Sequence, residues 1–428
     1  MTSWNRALEY LKTASLRGSK LGLERIVQIL DLLGNPQDRV KIINIAGTNG
    51  KGSFGAMMLS VLTAAGYRTG AFSSPAITDA TDSFRINGKE ISHEILGNLI
   101  CRISPLCESL EDKPTEFEVL TAAAYELFAE AKCDIALVEC GMGGDMDSTN
   151  AVSSPLLSVI TNVQKDHCGF LGNTIEEIAA HKAGIIKQNR PVFFGGDSDN
   201  IPHSIINAAK KKSAPLFTVN SSDLHKAVSS TIYNISGTSF NYKGFYADIP
   251  LLGTYQPVNA VNVLSCVELL RNEGIDIPAQ AVTEGISNAK WHGRFELLRK
   301  DPVVIFDGSH NPDGIKYAAD SIKLYFPECK IALIIGVMAD KEYNLYADML
   351  GELAERVFTV SPDNPRSLSS NILADTFVKK GIPAESFAIL SEGVISAYEY
   401  ARKRNIPLIA LGSLYMYREF IETLEKHF

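Results

Sequence analysis

What the chain lacks narrows it first. Its seven cysteines, at 101, 107, 133, 140, 168, 266 and 329, include no CxxC pair. That indicates neither a zinc ribbon nor a dithiol redox motif, and free thiols of a reducing cytosol are the simpler reading. No apolar run reaches the roughly 18 residues of a membrane span, and residues 1–6 lack the apolar core of a signal peptide. Basic residues are in the minority, 41 Lys and Arg against 49 Asp and Glu, a net charge of −8. Nonspecific nucleic-acid binding, which needs a basic surface, is therefore not expected. No internal repeat and no low-complexity tract appears. The expectation is a cytoplasmic monomer acting on small molecules, with no nucleic acid and no membrane.

What is present is a globular composition, 45% hydrophobic and 21% charged, over 428 residues, a length that predicts two or three domains. One stretch organises the chain. An apolar β-like run, Val40 to Ala46, feeds a loop holding Gly47, Thr48, Asn49, Gly50, Lys51, Gly52 and Ser53, and an amphipathic helical pattern, 54–66, follows. Strand, glycine loop, lysine and helix together cradle phosphate: backbone N–H groups close on the oxygens and Lys51 supplies a mobile cation. The match to G-x-x-x-x-G-K-[ST] is incomplete, because Ile45 stands at the first glycine and Gly52 at the hydroxyl that usually ligates magnesium. A metal ligand must then come from elsewhere in the chain.

Strand and helix signals alternate through residue 196, which predicts a parallel, doubly covered sheet. Residues 216–250 change to short alternating runs, the pattern of a small antiparallel sheet. From Val303 a second α/β series begins, with 291–300 as a junction. The fold class is α/β: a P-loop parallel-sheet ATPase domain with a small antiparallel sheet, then a Rossmann-like C-terminal domain. The domains read as 1–290, a linker or hinge at 291–301, and 302–428. Ligands of open α/β sheets sit at the C-terminal strand ends. Polar residues gather there: Ser73-Ser74, Glu139 with the run 141–150, Asn162 to His167, and, in the second series, 307–312 and Gly412-Ser413. Glu139 and Ser74 are the natural oxygen ligands for a hard cation, replacing what Gly52 fails to supply. A helix cap or ion pair is the alternative for Glu139, and a structural histidine the default for His167.

The ordered set of motifs resembles the folylpolyglutamate synthases and bifunctional dihydrofolate synthases, a branch of the Mur-type ATP-dependent amide ligases. It includes Leu21-Gly-Leu-Glu-Arg25, Gly47–Ser53, Ser73-Ser-Pro75, Thr115-Glu-Phe-Glu118, 139–150, Asp166-His167, His181-Lys-Ala-Gly184, Gly293-Arg-Phe-Glu296, 307–312 and Gly412-Ser-Leu-Tyr415. The resemblance implies that Lys51 and the loop amides hold the ATP phosphates. It implies that Ser74 and Glu139 ligate one Mg2+ and His167 a second, and that Lys182 matches a lysine carbamylated in the family. Asn259 would contact adenine, and Arg294 and Asp307 would approach ATP. His310 and Ser413 would place glutamate, with His310 assisting the amine. Phe117, Asp147 and Ser148 would line the pterin side, although a Phe at a helix start is more often core. The implied substrates are ATP, L-glutamate and a folate or dihydropteroate.

The chain departs from the family's usual wording in places. It has Ala76-Ile77 after the second strand, Asp82-Ser83 before the hairpin, and His292 where proline is usual at the junction. The loop 76–83 lies on the side that receives the acceptor, so acceptor identity stays open while the ATP machinery is intact. The alternatives are a Mur-type amide ligase of the same fold acting on another acceptor, and a nucleotide-binding regulator without catalysis.

Overall fold

The computed structural model describes residues 2–428, which fall into two compact units, 2–227 with 258–288, and 228–257 with 289–428.

The first unit is built on an eight-stranded sheet in the order β4-β3-β2-β5-β1-β6-β7-β8. The strands are β1 (Lys41–Ala46), β2 (Thr69–Phe72), β3 (Phe84–Ile86), β4 (Lys89–Glu90), β5 (Ile135–Glu139), β6 (Leu157–Ile160), β7 (Val192–Phe194) and β8 (Leu216–Thr218). β2, β5, β1, β6, β7 and β8 pair in parallel, and β3 and β4 add an antiparallel edge. β1 and β5 are almost wholly buried, and apart from Lys41, Asn44 and Glu139 they are apolar, as strands of a parallel sheet covered on both faces are. One cluster packs helices Ser3–Ser15, Glu24–Leu32, His93–Ser109 and Glu116–Glu130 through residues such as Leu11, Ile29, Ile100 and Phe128. Another packs Ile160, Ile185, Phe194 and Ile205. The helices Lys51–Ala64 and Ala279–Ser287 meet so closely that a Cβ at Gly285 would lie 2.3 Å from the Cα of Val61.

The second unit carries a three-stranded antiparallel sheet, β9 (Ile232–Asn234), β10 (Gly237–Tyr242) and β11 (Phe245–Ile249). It also carries a six-stranded sheet in the order β12-β13-β17-β14-β15-β16. Those strands are β12 (Glu296–Lys300), β13 (Val303–Phe306), β14 (Ile331–Ile335), β15 (Ala354–Thr359), β16 (Ala384–Ser386) and β17 (Leu408–Leu411). All pair in parallel except β12.

Three local expectations are corrected. The phosphate-loop helix begins at Lys51, three residues before Phe54, because Gly50 at φ 85 ends the loop in the left-handed region open to glycine. Leu216–Thr218 joins the large sheet beside β7 instead of the small one, and Ser221–Ser229 is helical. Glu296–Lys300, part of the stretch read as a junction, is the edge strand β12, paired with β13 along its length.

Gly285→Ala is expected to destabilise the protein by about 1–3 kcal/mol, since the added methyl meets backbone that cannot swing aside. A fall in thermal midpoint checks it, and an unchanged midpoint contradicts the close packing.

Candidate active site

The site begins with strand register. Ile45 of β1 lies opposite Glu139 of β5, and Ala46 opposite Ile160 of β6. Phe72 of β2 pairs with Val138 of β5. The C-terminal ends of four neighbouring strands therefore align at one edge. That edge carries Ser73-Ser74, Glu139, the loop from Gly47, and Asn162 to His167. β5 is inserted between β1 and β2, and β6 continues on the far side of β1. This is the topological switch where open α/β sheets bind ligands.

The loop is held from behind by the segment after β6. Asn162 Oδ1 accepts from the amides of Thr48 (3.2 Å) and Asn49 (2.9 Å). Thr161 Oγ1 donates to Asn49 O at 2.7 Å, and Asn49 Nδ2 donates to Gln164 Oε1 at 2.6 Å. A Cβ on Gly47, at φ +149, would lie 1.9 Å from Thr161 Oγ1; one on Gly50 would lie 2.6 Å from Asn259 Oδ1. Asn259 thus stands against the loop. The Lys51 ammonium donates to the carbonyls of Gly47 (3.0 Å) and Thr48 (3.3 Å) and lies 4.0 Å from Glu139 Oε1. The α-helix Lys51–Ala64 points its N-terminus, with the amides of Lys51 to Ser53, at the same place.

Lys182, in the helix Ile175–Ala183, is buried. Burial and then the nearby Lys51 charge bring its amine down from the ordinary lysine range to about 7, with Asp166 and Asp147 among the charges opposing the shift. Glu139 is buried, whereas the His167 side chain is more than a third exposed. His167 adopts a left-handed backbone (φ 53) ahead of the Cys168–Leu171 helix, with Asp166 3.9 Å from Nε2. Among the described residues no group of three or more His, Cys, Asp or Glu converges as a metal cage. Ser74 and Glu139 follow or end the neighbouring strands β2 and β5, and both offer the oxygen donors that a hard cation such as Mg2+ takes.

The run 141–150 forms a wall beside Glu139. Phe117 packs under Gly141, where a Cβ would come within 2.9 Å of its ring. Ser148 Oγ pairs with Thr121 Oγ1 at 2.8 Å. Asp147 accepts from the amides of Met142 (2.9 Å) and Thr149 (3.0 Å), and burial raises its carboxyl above the ordinary value against those bonds. Loop 76–83 is gathered about Asp82, whose carboxylate accepts from the amides of Ile77, Thr78 and Asp79.

In the second unit Asp307 is fully buried and accepts from Tyr255 OH (2.9 Å), Phe295 N (2.8 Å) and Ser309 N (2.7 Å). His310 Nδ1 lies 2.8 Å from Gly308 O, and its carbonyl accepts from Tyr346 OH at 2.7 Å. Arg294 donates to Gly293 O at 3.0 Å, and a Cβ on Gly308 would touch its guanidinium. Ser413 caps the turn Leu414–Met416 by accepting from Tyr415 N at 3.2 Å. Sequence reasoning does not single out Thr161, Gln164, Thr121 or Tyr125, and Asn162 enters it only as the start of a polar run.

A glycine loop with its lysine at a parallel-sheet switch point, followed by a second Rossmann-like sheet, defines a Mur-type ATP-dependent ligase. Residues 45–268 match the Mur ligase middle domain and residues 293–413 the Mur ligase glutamate ligase domain. The chain is 35% identical to the dihydrofolate synthase/folylpolyglutamate synthase of Bacillus subtilis over 440 aligned positions, covering 99% of each. Among solved structures it is similar to E. coli FolC in complex with DHPP and ADP (26% identity, 98% of each chain, TM-score 0.84). It is also similar to the bifunctional folylpolyglutamate synthase/dihydrofolate synthase of Yersinia pestis complexed with AMPPNP and Mn ion (25% identity, 99% of each chain, TM-score 0.84). The chain belongs to the folylpolyglutamate synthase/dihydrofolate synthase family.

The depressed Lys182 amine sets a pH dependence. Between about pH 7 and the ordinary lysine value the unfolded chain holds a proton that the folded chain does not, so stability rises with pH through that window and is lost as pH falls toward 7. Lys182→Met is expected to raise the melting temperature most at and below pH 7, with the gain shrinking toward pH 10. A gain that is constant across this range would mean the amine is not depressed.

Proposed function

We propose that this chain joins L-glutamate to the carboxylate of a folate, tetrahydrofolate polyglutamate and/or dihydropteroate, with release of ADP and phosphate. The observation that carries this is the alignment of the Lys51 loop with Glu139, 4.0 Å apart at one sheet edge, in a chain of this family. The acceptor carboxylate attacks the γ-phosphorus of ATP, and the glutamate amine then displaces phosphate from the acyl phosphate. Phosphoryl transfer needs chiefly positioning and charge neutralisation. Lys51 and the amides of Gly50 to Ser53 would hold the β- and γ-phosphates, and Asn259 would face adenine.

When bound, Mg2+ neutralises the phosphate charge. Ser74 and Glu139 would hold one ion, and His167 a second. Lys182 is our candidate for carbamylation: a neutral amine adds carbon dioxide and releases a proton, which turns a buried cation into an anion suited to that charge-rich edge. Its amine near 7 supports this reading.

We read 1–290 as the ATP-binding domain, 291–301 as the linker and 302–428 as the glutamate-binding domain; the glutamate ligase match over 293–413 supports the last. There His310 and Ser413 would orient glutamate, Arg294 would approach the phosphates, and Asp307, through its three donors, would position the 308–311 turn. Phe117, Asp147 and Ser148 form the proposed pterin wall. The acidic net charge of −8 supports small-molecule substrates rather than nucleic acid. No helix among the described residues is long and apolar enough to cross a membrane. We take the working form to be a cytoplasmic monomer.

Purified protein with ATP, magnesium and glutamate, offered dihydropteroate and tetrahydrofolate separately, is expected to release ADP with at least one acceptor. Release with both establishes bifunctionality; no release with either from folded protein overturns the reading. Lys51→Ala is expected to lower turnover by about a hundredfold or more with an unchanged circular dichroism spectrum, and full activity in that variant would remove the phosphate loop from the mechanism.

A further inference from the structure

Two motifs, Leu21–Arg25 and Thr115–Glu118, touch none of the groups assigned to ATP or glutamate, yet they meet each other. Arg25 Nε donates to both Glu118 oxygens, at 2.9 and 3.1 Å, and both residues are buried. The remaining donors of Arg25 reach Asp112 Oδ2 (2.9 Å) and Lys20 O (3.2 Å). Glu118 Oε2 also accepts from the amide (2.7 Å) and hydroxyl (2.8 Å) of Thr115, closing a capping box at the start of the Glu116–Glu130 helix. Every oxygen of this carboxylate is spent on fixing where that helix begins and how it is rotated.

That helix is the strut behind the wall. From its first turns Phe117 supports Gly141, Thr121 pairs with Ser148 at 2.8 Å, and Tyr125 OH donates to Thr149 O at 2.6 Å. The other motif reaches the wall directly: Gly22 N donates to Met146 O at 3.3 Å. The Arg25 segment and the Glu118 helix therefore grip the 141–150 run at four points. A buried ion pair is an expensive way merely to fix two helices together, because apolar side chains of like volume do so as well or better. What the pair adds is direction: the planar guanidinium shares its Nε–H between both Glu118 oxygens while its other nitrogens reach Asp112 Oδ2 and Lys20 O, so its orientation is set from three sides.

We propose that Arg25 and Glu118 are positioning residues for the acceptor, which set the placement of Phe117 and Ser148 against the pterin without touching it. This rests on the wall reading of Phe117, Asp147 and Ser148 given above.

The test is steady-state kinetics with acceptor, ATP and glutamate varied in turn, on Glu118→Gln, Arg25→Met, Arg25→Lys, Thr121→Val and Phe117→Ala. Glu118→Gln and Arg25→Met are expected to raise the acceptor KM about tenfold or more, with the KM values for ATP and glutamate within about twofold. Arg25→Lys keeps the charge and loses the planar group that reaches Glu118, Asp112 and Lys20 O together, so it is expected to recover only part of the loss. A purely structural pair would lower the melting temperature and the active fraction without moving one KM alone. Equal rises in all three KM values, or none in folded variants, overturn the proposal. If the charge variants do not fold, Thr121→Val, which removes the hydroxyl contacts to Ser148 and to the Phe117 carbonyl but leaves the ion pair in place, decides by the same criterion. Phe117→Ala separates the two layers: an unchanged acceptor KM there removes the wall reading and this proposal with it, whereas a raised KM there beside unchanged pair variants overturns the pair's role alone.

Discussion

The first unit depends on a backbone register. Because Ile45 faces Glu139 and Ala46 faces Ile160, the loop after β1 emerges between a carboxylate and the Thr161–Gln164 segment. Parallel strands end together, so a one-residue slip of β5 would turn Glu139 to the opposite face of the sheet. The slip is opposed because it would also move the apolar run Ile135, Ala136, Leu137 and Val138, all buried, out of the close packing it makes on both faces. The electrostatic site is thus fixed by apolar side chains that take no part in it.

At that edge the cations are arranged unequally. Lys51 folds back on the loop carbonyls of Gly47 and Thr48. Lys182 is sealed from water and feels the Lys51 charge, and both effects disfavour its ammonium form. Two positive lysines so placed repel, and the depressed amine is the relief. Two loop amides, those of Thr48 and Asn49, are already engaged by Asn162. The donors aimed outward are accordingly those of the helix start, Gly50 to Ser53, where the macrodipole adds to the lysine charge. On the function we propose, this fits Gly52 in the place of the usual hydroxyl: the first helical turn would approach phosphate through backbone, and Ser74 and Glu139 would supply the oxygen ligands from the neighbouring strand ends.

Much of this was legible in the sequence because its signals are local. The glycine loop, the apolar strands and the capping box of Thr174 with Glu177 each depend on a few adjacent residues. What was not legible depends on long-range pairing. Leu216–Thr218 is too short to carry a period, and it joins the large sheet only because β7 presents an open edge. Glu296–Lys300 looked like a junction because its side chains are half exposed, which is how the edge strand of an antiparallel pair reads. The supports of the loop, Thr161 and Gln164, are small polar residues after a strand, and nothing in their type distinguishes them until the register brings them beside Asn49.

The same contrast separates two uses of a polar motif residue. Asp307 looks like a catalytic carboxylate in sequence, lying at a strand end in an Asp-Gly-Ser-His-Asn run. In the structure its oxygens take a hydroxyl from Tyr255, an amide from Phe295 and an amide from Ser309. It thereby ties two separate points of the second unit and its own following turn to one side chain and holds Phe295 at φ 46, a backbone rare for an aromatic residue. Tyr255, buried beside that charge, is pushed well above its ordinary value and stays a donor. Glu118 does the same in the first unit with Arg25 and Thr115. In both cases a buried carboxylate with its lone pairs occupied fixes the start of a segment whose next residues, His310 in one and Phe117 in the other, face the substrates we assign. Carboxylates of this kind act on chemistry through geometry, and they are told apart from Glu139 by what accepts or donates around them rather than by where the sequence puts them.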